Sequence, residues 1–130
     1  MRASTFCSAW VDNSTTQALT NATITIGDNS STDTLSISTS SCTFGLGTWV
    51  IGDYVGGGGA TSATFINSTV TWNPVARTLT VTIGTLNTST TIKTGVAQVA
   101  QKYTPAAART DLAGNAIVTT VFTNPTASGF

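Results

Sequence analysis

The sequence predicts an all-β fold, an immunoglobulin-like antiparallel sandwich of about seven strands. Three observations predict it: apolar and hydroxyl residues alternate with period two, turn signals punctuate the runs, and helical periodicity is scarce. With 130 residues the chain has the length of a single domain, 1–130, and enough of it to bury a core.

The runs come in order. Ala22-Thr23-Ile24-Thr25-Ile26 alternates, and so does Thr34-Leu35-Ser36-Ile37-Ser38. Ser68-Thr69-Val70-Thr71-Trp72 leads into Arg77-Thr78-Leu79-Thr80-Val81-Thr82-Ile83. Each run has one face of Ile, Leu, Val or Trp and one of Thr or Ser, as expected of antiparallel strands with a wet side. Thr is β-branched and suits the solvent-facing positions. Gly27-Asp28-Asn29-Ser30-Ser31 separates the first pair of runs. Asn73-Pro74-Val75-Ala76 separates the second, where proline stops a central strand. The four-glycine run Gly56, Gly57, Gly58 and Gly59 marks a loop or a bulged edge. Asp111-Leu112-Ala113-Gly114-Asn115 is a further turn, and Ile117-Val118-Thr119-Thr120-Val121-Phe122 reads as the final strand. Ser4 or Thr5 is placed to cap one short helical turn through Phe6-Cys7-Ser8-Ala9-Trp10. Residues 96–103 read as extended, because Thr-rich flanks and Pro105 oppose a helix. The expected core is Ile24, Ile26, Leu35, Ile37, Val70, Trp72, Leu79, Val81, Ile83, Val121 and Phe122.

Composition narrows the function classes. Formal net charge is zero and only 8% of residues are charged, against roughly 25% in an ordinary soluble domain. The five bases, Arg2, Arg77, Lys93, Lys102 and Arg109, are scattered singly, so there is no basic stripe for nucleic acid and no polybasic patch for a membrane surface. No run of about 18 apolar residues is present, which argues against membrane insertion. Ser and Thr together supply 42 residues, so hydroxyls carry the wettability that charges usually provide. That bias is common in extracellular and cell-surface proteins. Met1-Arg2 is followed by polar residues rather than the apolar core of a signal peptide, so a secretion signal is expected upstream or already removed. An even count of two cysteines, Cys7 and Cys42, in such a chain suggests one disulfide; two separate buried thiols are the alternative.

Three segments carry a family resemblance. The run Tyr103-Thr104-Pro105-Ala106-Ala107-Ala108-Arg109-Thr110-Asp111-Leu112-Ala113-Gly114-Asn115 resembles the late part of bacterial immunoglobulin-like (Big-type) repeat domains of surface-layer, adhesin and large secreted proteins. The opening Met1-Arg2-Ala3-Ser4-Thr5-Phe6 looks like the short helical turn that follows the first strand in that group, and Trp72-Asn73-Pro74 with Arg77-Thr78-Leu79-Thr80-Val81 fits its central hairpin. The motifs span most of the chain but reflect turn geometry more than chemistry. The resemblance implies an extracellular sandwich serving as spacer, adhesive or assembly unit, with no catalytic residues. In that family a strand precedes the opening turn. Its apparent absence here leaves two expectations: the chain is a truncated or processed fragment, or an open groove is filled by a strand from a neighbouring chain such as residues 124–130.

Candidate chemistry is sparse. The chain has no His and no Glu, and no Ser lies in a glycine-flanked elbow, so no hydrolase or other enzyme is expected. The five acids, Asp12, Asp28, Asp33, Asp53 and Asp111, mostly fall at turn positions, where Asp serves structural ends. Zinc and copper are disfavoured without His. Weak candidates for a structural calcium ion are Asp28 and Asp33 beside Asn29, and Asp111 with Asn115, though neither set has the spacing of a dedicated calcium loop. Trp49 and Tyr54 border the glycine run and are the aromatics expected to be exposed for glycan contact; Trp72 alternates in a strand, and Trp10 is placed to pack on the disulfide. Five glycosylation sequons begin at Asn13, Asn21, Asn29, Asn67 and Asn87, a mild excess for so hydroxyl-rich a chain. Asn13, Asn29 and Asn87 fall in expected loops. Two functions follow as expectations. The first is a non-catalytic structural or adhesive module of a surface layer, stalk, adhesin or filament, with copies of itself or neighbouring domains as partners. The second is a carbohydrate-binding module for polysaccharide.

Overall fold

Alternating Ile and Thr become long, bent strands. The computed structural model describes residues 1–42, 44–56, 61–87 and 92–129. A short helix α1 (Ala3–Phe6) precedes β1 (Gln17–Asn29), β2 (Thr32–Ser38), β3 (Gly47–Ile51), β4 (Ser62–Asn73), β5 (Thr78–Thr82), β6 (Thr85–Leu86), β7 (Lys102–Pro105) and β8 (Phe122–Thr123). All eight strands join one antiparallel sheet in the order β5-β4-β1-β2-β3-β7-β8, with β6 paired to β4 beyond β5. Leu79 of β5 and Phe122 of β8, at opposite ends of that order, line the same groove. The sheet therefore curls onto itself, and the fold is all-β and sandwich-like, as its sequence pattern predicts.

The curl is built into β1 and β4. On β1 the core-facing positions are Ala22, Ile24 and Ile26, yet Leu19 also packs inward, so the alternation changes phase between 19 and 22. On β4 the phase changes between Phe65 and Ser68. The register shifts at the same two places: Leu19 pairs with Val70, Ala22 with Ser68 and Ile24 with Phe65, one extra residue entering each strand in turn. These are β-bulges, and they bend a strand pair. Each contains an Asn in the left-handed region, Asn21 (φ 61°) and Asn67 (φ 56°), where Asn is tolerated better than most side chains. Gly84 lies against the second bulge; a Cβ there would come within 2.1 Å of the Ile66 carbonyl oxygen.

Two clusters fill the interior. One joins Ala3 and Phe6 of α1 to Cys7, Trp10, Ala22, Val70 and Trp72. The Phe6 and Trp72 rings are 5.6 Å apart, and Trp10 meets Phe44 edge-on at 5.3 Å. The other joins Ile24, Ile26, Leu35, Ile51, Tyr54, Val55 and Ala63. The Cys7–Cys42 disulfide ties the end of α1 to the segment after β2, with a Cα–Cα distance of 5.3 Å. Such a bond fits a non-reducing compartment. Among the described residues, no helix is long and apolar enough to cross a membrane.

Several expectations are corrected. The helix spans Ala3–Phe6, and no side chain caps it. Ser4 lies inside it and gives both its N–H and its Oγ–H to Asp12. The expected final strand over 117–122 reduces to Phe122–Thr123, because β7 offers ladder partners only to those two residues, through Lys102 and Tyr103. Val121 and Phe122 are consequently exposed, at 51% and 61%, and leave the expected core. Ile37, Leu79, Val81 and Ile83 are half-buried, while Ile24, Ile26, Leu35, Val70 and Trp72 are buried. Residues 124–129 pair with their own chain: Asn124 N–H donates to the Gln101 carbonyl, and Val99 and Ser128 exchange hydrogen bonds. Gly57, Gly58, Gly59 and Phe130 lie outside the described residues.

Candidate functional site: an apolar groove between two sheet edges

The sheet ends on β5 at one side and β8 at the other, and a groove of about 440 Å³ opens between them. One wall is Phe6, Trp72 and Leu79; the other is Trp49, Tyr103 and Phe122. The second wall is a cross-strand row, because Trp49 pairs with Tyr103 and Tyr103 with Phe122. Rows of aromatic side chains across adjacent strands pack well and fix register. Met1, Arg77, Lys102 and Asn124 stand at the rim among the lining residues. Trp72 is only 3% exposed, and its Nε1–H has no acceptor among the described residues. Burial raises the Tyr103 phenol above its ordinary pKa, with nearby Arg109 pulling it the other way. The hydroxyl donates to the Leu46 carbonyl at 2.5 Å, and this holds the ring at the groove wall.

The aromatic pair expected for glycan contact is divided. Trp49 is half-buried on β3 and reaches the groove. Tyr54 is 7% exposed and belongs to the core, because the chain after β3 folds inward and Asp33 accepts the Tyr54 and Val55 N–H groups there. Tyr103 and Phe122 also line the groove, although the sequence reading places Phe122 in the core of the final strand and Tyr103 at the end of an extended stretch, and neither as a contact aromatic.

The acids also separate. Asp111 closes its own turn, its Oδ1 accepting the Ala113 and Asn115 N–H groups and its Oδ2 the Asn115 side-chain amide. Hydrogen bonds from Asn115 hold its carboxyl below the usual range. Asp28 and Asp33 come together instead with Asp53. Asp33 is no turn residue, since it lies in β2 with no exposure. The glycosylation candidates Asn13, Asn29 and Asn87 are all exposed, Asn29 as the last residue of β1. Arg109 joins distant parts of the fold, its guanidinium donating to the carbonyls of Gly45 and Thr5.

Fold and groove together define a disulfide-tied, all-β module whose sheet ends on β5 and β8. Compared with known proteins, the chain matches no family model, no curated protein and no solved structure.

Proposed function

We propose that this chain is a non-catalytic, extracellular structural or adhesive module, akin to bacterial immunoglobulin-like repeat domains, and a unit of a surface layer, stalk, adhesin or filament. It assembles by taking a β-strand of another copy into the groove between β5 and β8. The observation that carries this reading is the groove itself. It is apolar on both walls, flanked by the two strands that end the sheet order, and it contains a buried indole N–H without an acceptor among the described residues. Val118, Val121 and Phe122 add exposed apolar surface in β8 and the residues leading into it. With 8% charged residues, close packing of copies desolvates few ions. Such an edge-to-groove contact is head-to-tail, so it propagates unless the rotation closes a ring. The absence of His and Glu from the sequence supports a role without general acid–base chemistry.

The test is molar mass by light scattering on non-reduced native protein, with electron micrographs of the same sample. Polymers or rings are expected, and Phe122→Asp should return them to monomers without unfolding, because Phe122 is 61% exposed. A monodisperse monomer at every concentration would overturn the assembly reading. The aromatic row Trp49, Tyr103 and Phe122 favours one second reading, a platform on which sugar rings stack. In that case the monomer binds polysaccharide, and Trp49→Ala abolishes the binding.

A further inference from the structure

A carboxylate stands where the strand alternation calls for an apolar side chain. Asp33 precedes Leu35 by two positions on the buried face of β2 and is itself fully buried. Its Oδ2 accepts the backbone N–H groups of Tyr54 and Val55, each at 2.6 Å. Its Oδ1 is equally buried and has no hydrogen-bond partner among the described residues. Leaving a carboxylate oxygen in that state is costly unless a charge or a donor meets it.

The surroundings add further negative charge. Asp28 is the register partner of Asp33, directly opposite across the β1–β2 hairpin. Like charges in that position repel. Asp53, next to Tyr54 in the chain, completes the group, and one carboxylate oxygen of each residue lies within 4.8 Å of the others. That spread falls inside the roughly 4.6–5.2 Å diameter of a calcium coordination shell, with oxygens 2.3–2.6 Å from the ion. The group has one neighbouring cation among the described residues, Lys93, whose Nζ is 2.6 Å from Asp53 Oδ1. Three carboxylates against one ammonium leave a formal charge of −2 (−3 + 1). All the donors are hard oxygens, and no free cysteine is present among the described residues.

We propose that Asp28, Asp33 and Asp53 bind a calcium ion, with Lys93 competing for Asp53. The ion would join the tip of the β1–β2 hairpin to the segment after β3, the stretch on which Tyr54 and Val55 enter the core. The proposal is independent of the groove and of assembly.

The test is titration calorimetry and thermal unfolding of the intact, non-reduced protein with Ca²⁺, with Mg²⁺ and with chelator. Calcium should bind with a Kd on the order of 10⁻⁴–10⁻³ M, the range of extracellular calcium modules, and should raise the Tm above its value in chelator. Asp28→Asn and Asp53→Asn each remove one ligand charge at a partly or fully exposed position and should weaken binding about ten-fold. Lys93→Gln removes the competitor and should tighten it by about two-fold or more. Calcium binding that survives both Asp variants unchanged would overturn the site, as would binding confined to the Lys93→Gln variant or no binding at all. Magnesium binding as tight as calcium would overturn its calcium character.

Discussion

At the scale of single residues, Asp12 shows how a surface acid organises the start of the fold. It accepts the Ser4 N–H and Oγ–H, each at 2.9 Å, and pairs with Arg2 at 2.9 Å. The Ser4 backbone hydrogen bond is the main reason its carboxyl titrates below the ordinary aspartate value. The sign follows. A depressed folded-state pKa contributes stability that is present above the unfolded value and lost as pH falls through the folded one. Acid unfolding should therefore begin below about pH 4, and Asp12→Asn should flatten that limb of the pH–stability curve. Chemical denaturation at a series of pH values checks it. The disulfide is a second residue-scale term. Its closed loop spans 35 residues, so Cys7→Ser with Cys42→Ser should cost roughly 3–4 kcal/mol, measured by urea unfolding. The pairing was legible from the even cysteine count and the composition. The inward turn of Asp33 was not, because an Asp close to Asp28 and Asn29 looks like one more turn residue until its neighbours in space are known.

At the scale of elements, what the sequence made plain and what it hid divide at the bulges. The alternating runs begin at Ala22 and at Ser68, immediately after Asn21 and Asn67, whereas β1 starts at Gln17 and β4 at Ser62. Period-two counting stops where an extra residue inverts the phase, so it finds the second half of each strand and misses the first. The opposite error occurs over 117–122. Those residues have strand composition, but a strand also needs a partner, and β7 provides one for only two of them. The bulge is itself testable. Asn67→Val, a β-branched residue forced to φ 56°, should cost about 1–2 kcal/mol, and Asn67→Gly should be close to neutral. Ile24 has no exposure and lies between Ile37 and Phe65 on the neighbouring strands. Ile24→Ala should cost about 2–5 kcal/mol in the same unfolding assay.

At the scale of the whole molecule, the sheet is curled but not closed. The all-β class and the single disulfide followed from pattern and composition. The groove could be anticipated only as a consequence of an unfilled edge, and its walls could not, since they join α1 and β5 to β3, β7 and β8. Contacts across that groove are apolar, and the chain carries few charges to be screened. Assembly through it should therefore depend little on ionic strength, in contrast to charge-driven polymers. Sedimentation at low and at high salt checks this: a polymer that dissolves in salt would place the contact elsewhere.

The covalent bond between Cys7 and Cys42 also determines how the chain would bear tension. A pull on its two ends passes from residue 7 straight to residue 42 through the sulfurs. β1 and β2 then lie in a loop off the line of force. With the bond intact, about 35 residues of contour, roughly 120 Å, stay hidden from stretching, and a reductant releases that slack. In the oxidised molecule the longest strand of the sheet cannot be drawn out end to end, even after its hydrogen bonds to β4 have given way.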